Sequence, residues 1–249
     1  EVRALCTDLF GKRRCEVCLF GSQATDLWLP SSDVDLIVKL DVEDWERARA
    51  AEGEEAGPTP LQLLHATLFS AWGATGKLSF LDIIEHAKVP IVKFTAQGID
   101  VDVCINETGG LKTADLTNEY LRAIPTLRPL CIVLKTFTAL RGMDEPYRGG
   151  VGSFPLLLMI VSFLQHRCRE DAATKRRCSA YNLGCLLIEF LELYGNDFNY
   201  VTVGISVRNG GCYFAKGDRR RREHFWQPGR PFSLALENPL EPNVDAGRG

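Results

Sequence analysis

No apolar run in this chain of 249 residues approaches the roughly 18 residues that a membrane-spanning helix needs. The longest, Phe154 to Leu164, stops well short, so an integral membrane protein is not expected. Positive charge is not in excess either: 29 Lys and Arg stand against 32 Asp and Glu, a net charge of -3. A surface coated in nucleic-acid-binding charge is therefore excluded, and any nucleic-acid contact falls to a local patch or to a partner. A disulfide framework is also lacking. The nine cysteines are odd in number and scattered from Cys6 to Cys212, with no signal peptide recognisable ahead of them, which is the pattern expected in a reducing compartment: cytosol, nucleus or organelle matrix. Cys15 and Cys18 form the only close pair, and without a second pair or a nearby histidine they read as residues in or beside a strand rather than as zinc ligands.

What is present is a globular composition. Hydrophobic residues make up 45% and charged residues 24%, enough for a real core in one large or two modest domains.

Chemistry concentrates between Leu19 and Val38. An apolar strand-like stretch, Cys15 to Phe20, runs into Gly21-Ser22; a polar turn follows; and a second apolar run, Asp35 to Leu40, opens behind Asp33. Residues two apart in an extended chain share a face, so Asp33 and Asp35 project together. Two such carboxylates offer the hard oxygen ligands that suit magnesium. Metals held there activate an attacking hydroxyl and neutralise a leaving pyrophosphate. Gly21 allows close backbone approach to a phosphate and Ser22 adds a hydroxyl donor. Taken alone, Asp-x-Asp beside a turn is an ordinary surface feature, and it is the preceding Gly-Ser that gives it meaning.

A third carboxylate comes from the stretch Ile99 to Ile105. There Ile99, Val101, Val103 and Ile105 face one way and Asp100, Asp102 and Cys104 the other. Alternation does not choose between the two aspartates. A strand over Ala87 to Phe94 precedes it.

The text Phe20-Gly21-Ser22-x-Ala24-Thr25-x-Leu27-x-Leu29-Pro30-x-Ser32-Asp33-x-Asp35-Leu36 resembles the signature of the DNA polymerase beta-like nucleotidyltransferases. It is most similar to that of the noncanonical poly(A) polymerases and the related terminal uridylyltransferases. The resemblance selects Asp102, because family members read Ile-Asp-Val there, and it leaves Asp100 as a solvated strand residue.

The rest of the chain fills in around that signature. Val2, Leu5 and Leu9 space a short helix over Glu1 to Phe10. Asp41 to Pro60, acidic and ending in Gly57-Pro58-Thr59-Pro60, predicts a solvated connector with at most a helical turn around Trp45 to Ala51. Leu61, Leu64, Leu68 and Trp72 place an apolar stripe on a helix that covers the sheet. After Leu111 the pattern turns helical. Leu130, Val133-Leu134, Phe137 and Leu140 make one stripe; Ser153-Phe154-Pro155 opens a helix apolar on all sides; Asn182 and Gly195 bracket a third. Val203 to Val207 and Cys212 to Phe214 flank Asn209-Gly210-Gly211 as a small hairpin. The fold class expected is α+β: a polymerase beta-like palm with a mixed sheet over residues 11–118, then a mainly helical central domain over 119–249, with the active site in the cleft between. In the family the first helix packs on the helical domain, which places residues 1–10 there.

The resemblance also implies roles. Asp33 and Asp35 bind two Mg2+ (or Mn2+) ions, Asp102 holds the ion that activates the RNA 3′-hydroxyl, and Gly21, Ser22 and Lys135 hold the triphosphate. Lys135 suits that task as a point charge on a flexible stem. Where uridylyltransferases carry a second lysine one turn later, this chain has Ala139, with Arg141 beyond it. Ser153-Phe154 matches a pair whose ring stacks on the incoming base, while a plainer account has Ser153 capping its helix and Phe154 in the core. Asn106 and Gly110 fit the family text, and Thr113 stands where sugar contacts are made, although Thr113-Ala114 replaces the usual Asn-Thr or Asn-Ser. Glu237 to Gly249 resembles the nucleotide recognition motif, with Asn243, Val244 and Arg248 in its positions and Asn238 replacing the usual aspartate. Standing alone, it would read as a Pro-rich tail.

The basic runs Lys175-Arg176-Arg177 and Arg219 to Arg222 read as solvated faces. The expected activity is template-independent addition of AMP from ATP to an RNA 3′ end, with UTP use by a uridylyltransferase, or an inactive scaffold, as alternatives. An RNA-binding partner protein and a nuclear location, or else a mitochondrial or cytoplasmic one, accompany that reading by resemblance.

Overall fold

The structure, a computed structural model, describes residues 1–51, 57–87, 89–173 and 182–248. Lys175-Arg176-Arg177, Lys88 and the acidic residues Glu52, Glu54 and Glu55 lie outside them. The chain forms two compact units, Glu1–Asp115 and Leu116–Gly249, which are described separately. Among the described residues no helix is long and apolar enough to cross a membrane.

The first unit is built on a five-stranded mixed sheet in the order β1-β2-β5-β4-β3. Its strands are β1 (Cys15–Leu19), β2 (Val34–Leu40), β3 (Leu78–Ile84), β4 (Ile91–Ala96) and β5 (Ile99–Ile105). Only β2 and β5 run parallel; the other neighbours are antiparallel. A two-residue turn, Gln97-Gly98, joins β4 to β5, and both residues take positive φ, 54° and 80°. That conformation matches the strand twist of a tight hairpin.

Two helices, α1 (Val2–Phe10) and α4 (Pro60–Trp72), pack against the strands and each other. Val17, Val38, Leu40, Val92, Phe94, Val101 and Val103 from the sheet join Leu64, Leu68 and Trp72 of α4 in one buried core. Thr59 and Gln62 cap α4 reciprocally, with Pro60 at its first turn. Cys6 and Phe10 of α1 are buried in this same core. Within this unit the apolar face of the helix is thus used on the sheet and on α4.

Two differences from the sequence reading have local causes. The acidic stretch after Asp41 forms a full helix, α3 (Val42–Ala51). Trp45 anchors it, buried edge-on against Phe10 at 6.1 Å between ring centroids, and Asp41 Oδ1 accepts a bond from the Asp44 amide. β3 was not anticipated, because a register shift between Leu78 and Phe80 breaks its alternation. The strand expected over Ala87 to Phe94 begins later, at Ile91, and runs to Ala96.

In the second unit α5 (Gly109–Ala123), whose first turns belong to the sheet unit, is followed by α6 (Leu127–Leu140), α7 (Ser153–Ala173) and α8 (Leu183–Glu192). Along α7 every residue from Leu156 to Leu164 is buried, as expected of a helix apolar on all sides. Asn182 caps α8 by accepting from the amides of Gly184 and Cys185. Beyond Glu192 the chain does not stop at Gly195 but winds through a π turn, Leu193–Asp197. Phe163, Phe190, Tyr194 and Phe198 pack there as a chain of rings 4.8 to 5.8 Å apart. The hairpin is present as β6 (Val203–Ser206) and β7 (Cys212–Ala215).

Candidate active site

Strand register assembles the site. Asp35 on β2 pairs with Asp102 on β5, and Asp102 pairs with Lys93 on β4. The three side chains therefore form one row across three strands, on the sheet face opposite Val38, Val92, Val101 and Val103. Asp33, two residues before Asp35, belongs to the same face. Asp100 does not join them: it is exposed and accepts a hydrogen bond from the Thr95 hydroxyl. Of the two aspartates that alternation left open, the structure brings Asp102 beside Asp35.

Lys93, which the sequence reading passed over, lies at the centre of the group. Its Nζ is 2.9 Å from Asp33 Oδ2 and 3.1 Å from Asp102 Oδ1. Asp102 Oδ1 is buried, and although the ammonium is close, it has no partner in hydrogen-bonding geometry. Burial pushes the Asp102 carboxyl above its usual range, and Lys93 offsets this only in part while Asp33 adds to it. Burial opposes the charge on Lys93 too, but its hydrogen bonds to Asp33 and Asp102 prevail and its affinity for a proton rises.

The Gly-Ser turn closes the other side. β1 runs antiparallel to β2, so Phe20, just past the end of β1, donates its amide to the Asp35 carbonyl at 3.1 Å. Gly21 follows with φ 61°, a left-handed conformation that favours glycine. A Cβ on Gly21 would meet Asp35 Oδ2 at 2.0 Å. A short helix, α2 (Gly21–Thr25), starts at this contact and contains Ser22, and the Thr25 hydroxyl bonds back to the carbonyls of Gly21 and Ser22.

The donor set fits divalent cations of the magnesium class. Three carboxylates offer hard oxygens on one face, one of them a buried oxygen short of a hydrogen-bond donor, beside a backbone cradle that any side chain at Gly21 would fill. Among the described residues no three acidic, thiol or imidazole side chains are gathered closely enough to hold a metal ion; the Lys93 ammonium lies against Asp33 and Asp102. Cys15 and Cys18 are free thiols on β1, with the Cys15 thiol directed at the Cys6 carbonyl.

Other residues singled out from the sequence have local work to do. Asn106, in a left-handed conformation, accepts from the Leu40 amide at 2.7 Å and donates to the Leu40 carbonyl at 2.8 Å. Leu40 lies five residues beyond Asp35, about 16 Å along the strand. The Asn106 side chain thus fastens the far end of β2 and is not brought to the triad. Gly110 allows close packing, since a Cβ there would meet the Phe20 ring at 2.4 Å. Thr113 bonds its hydroxyl to the Gly109 carbonyl within α5.

In the second unit Lys135 is half-buried on α6, and Arg141 stacks over Phe137 at 5.4 Å. Ser153 is exposed as the first residue of α7, with Phe154 half-buried behind it. The closing segment is not a loose Pro-rich tail. Asp245 is buried and accepts from the amides of Leu236 and Gly247, both at 2.9 Å. Asn238 donates its amide to the Val244 carbonyl, and Ala246 to that of Leu236. The loop so folded leaves Asn243 and Val244 exposed, with Asn243 at φ 75°. Arg248 reaches the His224 carbonyl. Within the basic run, Arg221 is not a solvated charge: it lies 3.6 Å from the buried Glu237 and 4.2 Å over the Phe214 ring.

Comparison with known proteins agrees with this geometry. Residues 1–122 match the model of the family described as "Poly(A) RNA polymerase, mitochondrial-like, central palm domain", and residues 182–244 that of the "Cid1 family poly A polymerase". The chain is 37% identical over 94% of its length to Poly(A) RNA polymerase CID14 of Cryptococcus neoformans, and 38% identical over 93% to a Drosophila melanogaster protein named as an inactive non-canonical poly(A) RNA polymerase, Trf4-2. It spans 28% of the first and 53% of the second. Among solved structures, the polymerase core of TRAMP, an RNA surveillance complex, superposes with a TM-score of 0.79 at 30% identity, covering 99% of this chain and 71% of that one. The chain belongs to the noncanonical poly(A) RNA polymerase family, built on the polymerase-core nucleotidyltransferase fold.

Proposed function

We propose that this chain carries the catalytic core of a template-independent RNA nucleotidyltransferase that transfers AMP from ATP to an RNA 3′ end. The observation that carries this reading is the row Asp35-Asp102 with Asp33 on one face of the sheet, closed by the Gly21 turn. Three carboxylates placed this way are suited to hold two Mg2+ ions, and the intact trio argues against an inactive scaffold.

The chemistry is attack of the RNA 3′-oxygen on the α-phosphorus, with the bond to pyrophosphate breaking and the hydroxyl proton lost to solvent. Bound divalent ions supply Lewis acidity and lower the pKa of the attacking hydroxyl. Asp33 and Asp35 would hold both ions and Asp102 the one beside the attacking hydroxyl, while Gly21 and Ser22 would let the triphosphate approach the backbone. Lys135 is assigned to the triphosphate and Phe154 to stacking under the base, by resemblance to the family. Asn243, Val244 and Arg248 belong to the base-recognition loop on the same ground. An RNA-binding partner fits the acidic composition and the likeness to the polymerase core of an RNA surveillance complex, and a nuclear site of action is assigned by resemblance to the family.

The test is extension of a labelled oligo(A) with each of the four nucleoside triphosphates and Mg2+. Extension with ATP ahead of the other three supports the reading; no extension with any nucleotide under conditions where the protein is folded overturns it.

A further inference from the structure

The residue at the centre of the site is not a carboxylate but a lysine. Lys93 comes from β4, the strand after the long β3 excursion, and its stem projects on the same face as Asp102 because the two are register partners. Its ammonium lies within salt-bridge distance of both Asp33 and Asp102, and all three side chains are less than half exposed, at 34%, 40% and 21%. Nothing in the proposed transfer uses this charge directly. Three carboxylates on one face repel one another when no cation is present, and the repulsion grows as water is excluded. A positive charge among them relieves that cost, and the same charge opposes any divalent ion that enters.

We propose that Lys93 is the internal counter-ion of the metal-free triad, holding Asp33 and Asp102 in place and giving them up when divalent cations bind. It is a positioning residue, and the inference rests on the two-metal reading above. The lysine's flexible stem lets its ammonium swing clear without disturbing the strand, which a guanidinium fork would do less readily. The triad is thereby kept ordered without metal, at the expense of weaker metal binding than three carboxylates alone would give.

The experiment measures Mn2+ binding to the unsubstituted chain, to Lys93→Met and to Lys93→Arg, by the loss of the free-ion resonance signal, together with the thermal midpoint in chelator and in saturating Mn2+. Lys93→Met is expected to tighten Mn2+ binding by about tenfold or more, to lower the metal-free midpoint, and to enlarge the rise on adding metal. Lys93→Arg, which keeps the charge but releases the carboxylates less readily, should bind Mn2+ no more tightly than the unsubstituted protein. Equal or weaker Mn2+ binding by Lys93→Met, with normal binding by the parent, overturns the counter-ion role and leaves the two-metal reading standing. Absence of binding by the parent overturns both. Should Lys93→Met fail to fold, amine-selective labelling of the unsubstituted protein decides: Mn2+ should speed modification of Lys93 relative to the other lysines, and an unchanged rate overturns the proposal.

Discussion

Gly21 and Asp35 occupy contiguous space: a methyl group added to the glycine would lie 2.0 Å from Asp35 Oδ2. The turn and the carboxylate are therefore a single unit. Gly21→Ala must push Asp35 off its row or move the turn, and it also forces a Cβ into a left-handed conformation at about 1–2 kcal/mol. Nucleotide transfer should fall at least about a hundredfold, in line with displacement of a reacting group by an ångström, while the thermal midpoint drops by only a few degrees. Single-turnover extension and a melting curve check both. Transfer within about threefold of the parent would show that the contact carries nothing.

Base choice is expected to depend on Val244, exposed on the folded loop that Asp245 staples. The family resemblance implies this position: in the uridylyltransferase form of the motif it commonly carries a histidine that contacts uracil and crowds a purine. Valine offers no hydrogen bond to uracil and leaves room for adenine. A hydrogen bond of this kind is worth about 0.5–1.5 kcal/mol, roughly three- to tenfold in selectivity. Val244→His should shift utilisation toward UTP by that factor, measured with ATP and UTP in competition. A parent protein that uses UTP better than ATP at equal concentration would replace the poly(A) polymerase reading with the uridylyltransferase one.

His166 is expected to make the second unit acid-sensitive. Its ring stacks on Tyr213 at 4.1 Å, its Nε2 is buried without a hydrogen-bond partner, and burial, reinforced by Arg169, lowers its affinity for a proton. The folded state then binds the proton less tightly than the unfolded chain. The stability contributed is present above the unfolded value, about 6.5, and is lost as pH falls below it. The thermal midpoint should decline from pH 7.5 toward pH 5.5, and His166→Phe, which keeps the stack, should flatten that decline. An equal slope in the variant would assign the acid sensitivity elsewhere.

Much of this was legible in the chain. Asp33, Asp35 and the Gly-Ser turn are local in sequence, and the alternation around Asp102 survives in β5 as buried Val101 and Val103. What stayed hidden depends on register between distant segments. Lys93 looks like any polar residue between Val92 and Phe94 until the Gln97-Gly98 turn sets it opposite Asp102. β3 escaped because its bulge breaks the period of two on which strand recognition depends. α3 was masked by its acidic surface, since a single buried aromatic, Trp45, holds it to the core. Asn106 fits the family text, yet its side chain is spent on the backbone of Leu40.

The central claim is that Asp33, Asp35 and Asp102 together perform nucleotide transfer, and Asp35→Ala is its most direct test. Asp35 is only partly buried at the start of β2, and Val38 and Leu40 supply that strand's buried contacts to the core of the sheet and helices, so the variant should fold with a near-normal melting curve. Removing a metal ligand removes the Lewis acid it positions. The measurement is single-turnover extension of a labelled oligo(A) with ATP and Mg2+ by the parent and by Asp35→Ala. The account predicts extension by the parent and none detectable by the folded variant; extension by Asp35→Ala at more than a few per cent of the parent rate would contradict it.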